Sequence, residues 1–460
     1  VISLSLKSSK QPDWELAYGC LKEEIGMEFN RIKEDELTRE LIQFRRQRHK
    51  MPENAWTEFL TTSEIIKKLQ EFGIPYIFGR DVHVRGERYG VPPEDVLEKC
   101  MQRAVGEGAD PELVERMRGG YTGVVGVIDT GKPGPVTAIR FDIDCNDVEE
   151  CLGGEHFPAR EHFASIHPDL MHACGHDVHT AIGIGAAKVL SVYKDQLCGK
   201  IKLIFQAAEE GARGGASMAA SGILDDVDYL FGGHVADMTS HLGQFAASTK
   251  NGSISYKVDL IFKGLSAHAG MAPEMGHNAL AAAATATLNI LGISRHSAGR
   301  TRVNVGACIA GPGRNVIPDH ALLKAEVRGL TDDLNEYMFN RMVTIAEAAA
   351  RMYECDFTYK IMGHSIDAAC DEEMTAVAYE AAKETAGVTQ MDSFHDMLGG
   401  GEDVTFMMKE VQKHGGKATF MWLGCDSTAP NHNSNFSVNE DVIPLTVRLF
   451  STMVFKLNGV

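Results

Sequence analysis

Met171-His172-Ala173-Cys174-Gly175-His176-Asp177-Val178-His179-Thr180 gathers a thiol, three imidazoles and a carboxylate within ten residues. Cys174 and His176 stand two apart, so on an extended or tightly turned backbone their side chains leave the same side. Thiolate and imidazole are donors that a zinc-like divalent ion prefers, and Asp177 is placed to orient one of the rings from behind. The run from Thr180 to Leu190 reads as a buried helix, so the cluster is expected in a loop that enters a helix. A bare Cys-x-His is also what a buried thiol beside polar loop histidines looks like, because two donors do not make a site. The remaining donors must come from elsewhere.

On either side of this stretch the chain has the rhythm of an α/β sheet. Thr122 to Ile128, Val136 to Phe141, Ile201 to Phe205, Tyr229 to Phe231 and Ala418 to Leu423 are short β-branched or apolar runs, several of them separated by helical segments. Three of them end in chemistry. The second runs into Asp142-Ile143-Asp144, the third into Gln206-Ala207-Ala208-Glu209-Glu210-Gly211, and the fourth into Gly232-Gly233-His234. The ligand crevice of an open α/β sheet lies beyond the carboxyl ends of its strands. Carboxylates and an imidazole are thus expected on the rim that also receives Cys174 and His176. Any one of them alone would pass for a helix cap or a surface acid; together they read as a metal site.

Further out, Ile254 to Phe262, Arg302 to Ile309, Ala321 to Val327 and Asp356 to Met362 read as strands, with helices over His277–Leu291 and Leu334–Met352. The order β-α-β-β-α-β is that of the ferredoxin-like split unit. We therefore expect a mixed-sheet α/β/α catalytic domain over residues 1–249 and 364–460, with an inserted ferredoxin-like α+β lid or dimerisation domain over 250–363. Residues 13 to 73 look helical, interrupted by a polar turn at Arg46–Glu53. Residues 92 to 118 look like a small charged helical hairpin, and a helix from Glu372, a strand and a helix over Asp441–Leu457 close the chain.

Composition limits the partners. Forty-five basic against 63 acidic residues leave a net charge of −18, which argues against nucleic acid and anionic membrane surfaces but not against a small anionic substrate. No apolar run approaches the ~20 residues of a membrane span. The ten scattered cysteines include no C-x-x-C, and there is no charged-then-apolar leader, so a reducing cytoplasm is expected. Because the chain begins at Val1, an earlier leader stays open.

These motifs bring a family into view. Met171 to Asp177, Gln206 to Glu210, His234-Val235, Ser266-Ala267-His268-Ala269-Gly270 and Asn315-Val316-Ile317-Pro318 resemble the aminoacylase/glutamate-carboxypeptidase family of metallohydrolases. The likeness is to the subfamily with Cys where most members have a bridging Asp, and it covers nearly the whole chain. Phe141 to Cys145 and Gly401-Glu402-Asp403 sharpen it. The resemblance implies two divalent ions, zinc or manganese, bridged by Cys174 and further held by His176, Glu210, His234 and His432. It implies Glu209 as the general base. It also implies that His268 reaches the active site of a partner subunit to stabilise the oxyanion, and that Asn315 and Arg328 hold a substrate carboxylate. The expected assembly is a homodimer, with a homologous second subunit as a further option. The expected reaction is hydrolysis of an N-acyl or N-aroyl amino acid, p-aminobenzoyl-glutamate first and conjugates such as indole-acetyl-aspartate next. A non-catalytic metal-binding subunit is the alternative of another class, and a free Glu209 speaks against it. Departures from the family are Ala207 for a usual Pro, Gly233 for a common Leu, and Asn431-His432-Asn433-Ser434-Asn435-Phe436 for a His-Ser-Pro pattern. His162, His172 and His179 read as structural groups or as supports behind the ligands.

Overall fold

The β-branched and aromatic runs form strands because alternate residues of each can be buried on opposite faces of one sheet. In the computed structural model, which describes residues 31–235, 240–397 and 400–460, eight strands make a mixed sheet. Their order is Tyr76–Phe78, Val124–Asp129, Lys200–Gln206, Val136–Asp142, Tyr229–Val235, Lys417–Leu423, Gln244–Ala246, Gln390–Asp392. The four central strands, from Lys200–Gln206 to Lys417–Leu423, run parallel, so their carboxyl ends open on one rim.

Both faces of the sheet are covered. Ile139, Phe141, Leu203, Phe205 and Phe231 join a core with helices Phe59–Glu71, His176–Val192 and Val442–Asn458. Their strand neighbours Ala138, Ile204, Leu230 and Phe420 pack on the opposite side with Gly215–Ala219 and Val404–Lys413. The helix His176–Val192 lies close on the sheet because Gly183 has no side chain. A Cβ there would stand 2.4 Å from the Phe205 ring and 2.9 Å from Phe141.

Between Ile254 and His364 the chain builds a second, antiparallel sheet in the order Asp356–His364, Ile254–Lys263, His320–Gly329, Thr301–Ala310. Helices Ala279–Leu291 and Asp332–Met352 cover one face over Val258, Leu260, Phe262, Leu323 and Val327. The alternate residues Ser255, Lys257, Glu326 and Arg328 take the other face. No helix among the described residues is long and apolar enough to cross a membrane.

Several expectations are corrected. Arg46 to Lys50 belong to the helix Glu34–Lys50, and the turn starts only at Met51. The basic residues stay helical and partly buried because partners await them. Arg45 Nε lies 2.6 Å from Asp177, and the His49 ring lies 2.9 Å from both Asp177 and Glu150. Asp177 is thereby spent on Arg45 and His49 and orients no ring of the metal-donor cluster. The strand expected to stop at Phe231 continues to Val235, since Gly232 and Gly233 keep pairing with Phe420 and Met421. The helix Val404–Lys413 went unread. The helical pattern over 13–30 lies outside the described residues.

Candidate active site

The loop ending at Gly175 turns sharply into the helix that begins at His176. Gly175 has φ +87°, and a Cβ on it would lie 2.4 Å from Val235 Cγ2, so glycine alone lets Cys174 and His176 face the strand carrying His234. Cys174 Sγ then lies 3.3 Å from His234 Nε2. His234 donates from Nδ1 to its neighbour's carbonyl, Val235 O, at 2.7 Å, which leaves Nε2 as the lone-pair nitrogen. Burial and the nearby His179 hold its pKa down to about 3, so the ring is neutral, as a ligand must be.

The carboxylates arrive from the neighbouring strand exit. Asp144 accepts from the backbone N–H of Glu209 at 3.1 Å and of Glu210 at 2.9 Å, and it meets His176 Nδ1 at 3.3 Å. One buried side chain thus aligns the glutamate pair and one ring. Ala208 and Ala212, bracketing the pair, have φ +56° and +57°, a left-handed conformation that side chains rarely adopt. His432, itself at φ +65°, places Nε2 3.5 Å from Glu210 Oε1, and His176 Nε2 lies 3.9 Å from that oxygen.

Donor atoms of Cys174, His176 and His234 lie within 4.8 Å of one another, as do those of Cys174, Glu210 and His432. Cys174 belongs to both sets. His176 Nε2 and Glu210 Oε1 are buried without a hydrogen bond, which in a folded protein calls for another partner. Thiol, imidazole and carboxylate donors converging with unused lone pairs fit divalent metal ions.

The two glutamates are driven apart electrostatically. Burial raises Glu209, and the charges of Glu402, Asp403 and Glu210 raise it further, well above the usual carboxylate range. Burial opposes ionisation of Glu210 as well, but there the close approach and charge of His432, at 3.5 Å, and the charge of His176 win, bringing it down to about 2. The pair is thus split into one carboxyl that holds a proton readily and a neighbour that stays ionised. Both line a cavity of about 440 Å³ with Cys174, His234, His432, Lys257, Arg328 and Glu402 among its walls.

Of the remaining expected residues, Arg328 reaches this cavity, with its guanidinium on Glu326 at 2.7 and 3.0 Å. His268 and Asn315 do not line it. They lie together on an exposed segment of the second sheet's end, where His268 pairs with Val316 and Ala269 N donates to Asn315 O. His179 is fully engaged, between Asp142 at 2.5 Å and the Val235 N–H at 2.9 Å.

Sequence reading passed over Arg140, buried at the foot of the site. It donates to Gln206 at 2.8 Å and Asp142 at 2.5 Å, and lies 3.3 Å from Asp403 and 3.5 Å from Glu402. A charged residue inside the run Val136 to Phe141 was the available signal, since a buried guanidinium requires carboxylates. Lys257 and Asn431 were also missed. Asn431 donates to Cys174 Sγ at 3.5 Å.

Comparison with known proteins agrees with this geometry. Residues 138–456 match the model of peptidase family M20/M25/M40. The chain is 43% identical over 412 residues to an indole-3-acetyl-aspartic acid hydrolase of Enterobacter agglomerans, spanning 90% of this chain and 94% of that protein. It is 41% identical over 411 residues to a subunit of p-aminobenzoyl-glutamate hydrolase of Escherichia coli K12, spanning 89% and 94%. The crystal structure of an aminobenzoyl-glutamate utilization protein from Klebsiella pneumoniae superposes with a TM-score of 0.78 at 36% identity, over 92% of this chain and 97% of that one.

Proposed function

The chain belongs to peptidase family M20/M25/M40 and is a metal-dependent amidohydrolase, and on that premise we propose that it hydrolyses an N-aroyl or N-acyl acidic amino acid, p-aminobenzoyl-glutamate first. The observation that carries the reading is the pair of donor sets sharing Cys174, set beside a basic Glu209 in a cavity that also holds Arg328. Similarity to the p-aminobenzoyl-glutamate hydrolase subunit supports the substrate. Similarity to the indole-3-acetyl-aspartic acid hydrolase favours a second reading in which the acyl group is indole-acetyl and the amino acid aspartate.

In this proposal Cys174, shared between the two donor sets, would hold two divalent ions, zinc or manganese, together with His176, His234, Glu210 and His432. Bound divalent ions supply an acidified water and a polarised carbonyl. Glu209 takes the proton from the attacking water at a carboxylate oxygen and hands it to the departing amide nitrogen. Its raised pKa favours the first transfer, and its freedom from the ligand role permits the second. Arg328 holds a carboxylate of the substrate, a geometry suited to a guanidinium fork.

His268 and Asn315 lie outside the cavity of their own chain, which supports a homodimer in which they enter the partner's site. There His268 would donate to the developing oxyanion and Asn315 would steady the substrate carboxylate. We take the four-stranded unit, within residues 250–363, as the lid and dimerisation domain. Relatives that are themselves named as subunits of a p-aminobenzoyl-glutamate hydrolase support a homologous second subunit as a further partner. None of the cysteines from Cys100 to Cys425 forms a disulfide, which supports a reducing cytoplasmic setting.

A panel assay with protein reconstituted with zinc or manganese tests the reading. Release of p-aminobenzoate or indole-acetate from the acidic conjugates is expected, and no turnover of any amide conjugate with either metal would refute it.

A further inference from the structure

The cavity contains one cation that the reaction described above does not use. Lys257 lies on the strand Ile254–Lys263, on the face turned away from the core, with Ser255 beside it and Arg328 on the neighbouring strand. In the ladder Lys257 stands directly opposite Glu326, yet the Glu326 carboxylate turns to Arg328 at 2.7 and 3.0 Å. Among the described residues no carboxylate comes within 4.0 Å of the Lys257 ammonium, and it donates only to Ser255 Oγ, at 3.4 Å. Among those same residues Lys257 and Arg328 are the only lysine and arginine lining the cavity.

An amide of glutamate or aspartate carries two carboxylates once the amide nitrogen is acylated. Arg328 accounts for one of them. We infer that Lys257 binds the other and is the residue by which this enzyme selects conjugates of acidic amino acids over those of neutral ones. The inference rests on the amidohydrolase reading of the same cavity. Glu326 serves it indirectly, since by holding Arg328 it leaves the lysine uncommitted. Burial lowers the Lys257 pKa, and a bound carboxylate would offset that cost.

The test compares wild type, Lys257→Met and Lys257→Arg on p-aminobenzoyl-glutamate and p-aminobenzoyl-glutamine, which differ only at the side-chain carboxylate. The readout is the ratio of the two kcat/KM values. The ratio should fall about 100-fold in Lys257→Met, the scale of a charge-assisted hydrogen bond left unmade, and be largely kept in Lys257→Arg. A merely structural lysine would lower both rates and leave the ratio in place, which overturns the inference. Calorimetry with free glutamate and free glutamine separates this failure from failure of the amidohydrolase reading. If the wild type, loaded with zinc or manganese, cleaves neither these substrates nor any other amide conjugate of the panel, that reading falls. The lysine's role then stands only if glutamate binds the wild type more tightly than glutamine does and loses that advantage in Lys257→Met. Equal binding overturns it.

Discussion

Glu58 offers a sharp test of how the loop carrying the glutamate pair is held. Its carboxyl is fully buried, accepting from Ala208 N at 2.7 Å and from the Thr122 hydroxyl at 2.5 Å. Burial and the nearby Asp144 charge push it from the ordinary 4.5 up to about 8, although both hydrogen bonds oppose that rise. A carboxyl whose folded pKa exceeds its unfolded value favours folding below the unfolded pKa, and that contribution is lost as pH rises through the folded one. For Glu58 the window runs from 4.5 to about 8. At ~1.4 kcal/mol per pH this sets a ceiling on the order of 5 kcal/mol. Glutamine copies the neutral acid. It still accepts from Ala208 N, and the Thr122 hydroxyl can reverse to accept from its amide. Glu58→Gln should therefore lie within about 1 kcal/mol of wild type at pH 5 and exceed it by several kcal/mol at pH 8.5. Urea denaturation of both proteins across this range, with the general effect of net charge cancelling in the difference, measures it. A stability difference that does not change with pH would show that Glu58 folds as an anion, and the reasoning would fail.

Three further outcomes concern the chemistry. Glu209→Gln should keep its metals by elemental analysis yet lose ~10²–10⁴ in turnover, because an amide cannot accept the proton; near-normal kinetics would remove Glu209 from the role. Cys174→Ser should lose metal content as well as rate, since a hydroxyl is a poorer bridging ligand than a thiolate at neutral pH, and a variant retaining both ions and full rate would reduce Cys174 to a buried thiol. His268→Ala and Glu209→Gln should each be nearly inactive alone, whereas random reassembly of the two should restore about a quarter of wild-type activity. Half the dimers are then mixed, each with one intact site built from both chains. No recovery, with mixed dimers seen by mass spectrometry, would sink the shared site.

Much of this molecule was legible because its strands end in their chemistry. Glu209, Glu210 and His234 could be read from short β-branched or apolar runs that stop at polar residues, and the second sheet from its order of elements. What stayed hidden was pairing across long sequence distances. Nothing local distinguishes Asp177, which faces Arg45 and His49, from Asp144, which aligns the glutamates; both are carboxylates close to metal-donor types in sequence and part only in three dimensions. Arg140 was obscured in the same way, since its partners Glu402 and Asp403 lie more than 250 residues away. Lys257 shows a third limit. Alternation placed it on the polar face of its strand, but only the fold reveals that this face closes a cavity instead of meeting solvent.

The two walls of that cavity have separate foundations. Cys174, Glu209, Glu210 and His234 rest on the large sheet and its core, while Ser255, Lys257 and Arg328 are alternate residues of strands whose other face anchors a second core. A change at position 255, 257 or 328 therefore disturbs neither the packing beneath its own strand nor the donors opposite. On the proposed roles, the residues that would read the substrate can be changed while those that would cut it stay in place. The same partition gives a designer a wall on which to change the diet of the enzyme without rebuilding its reaction.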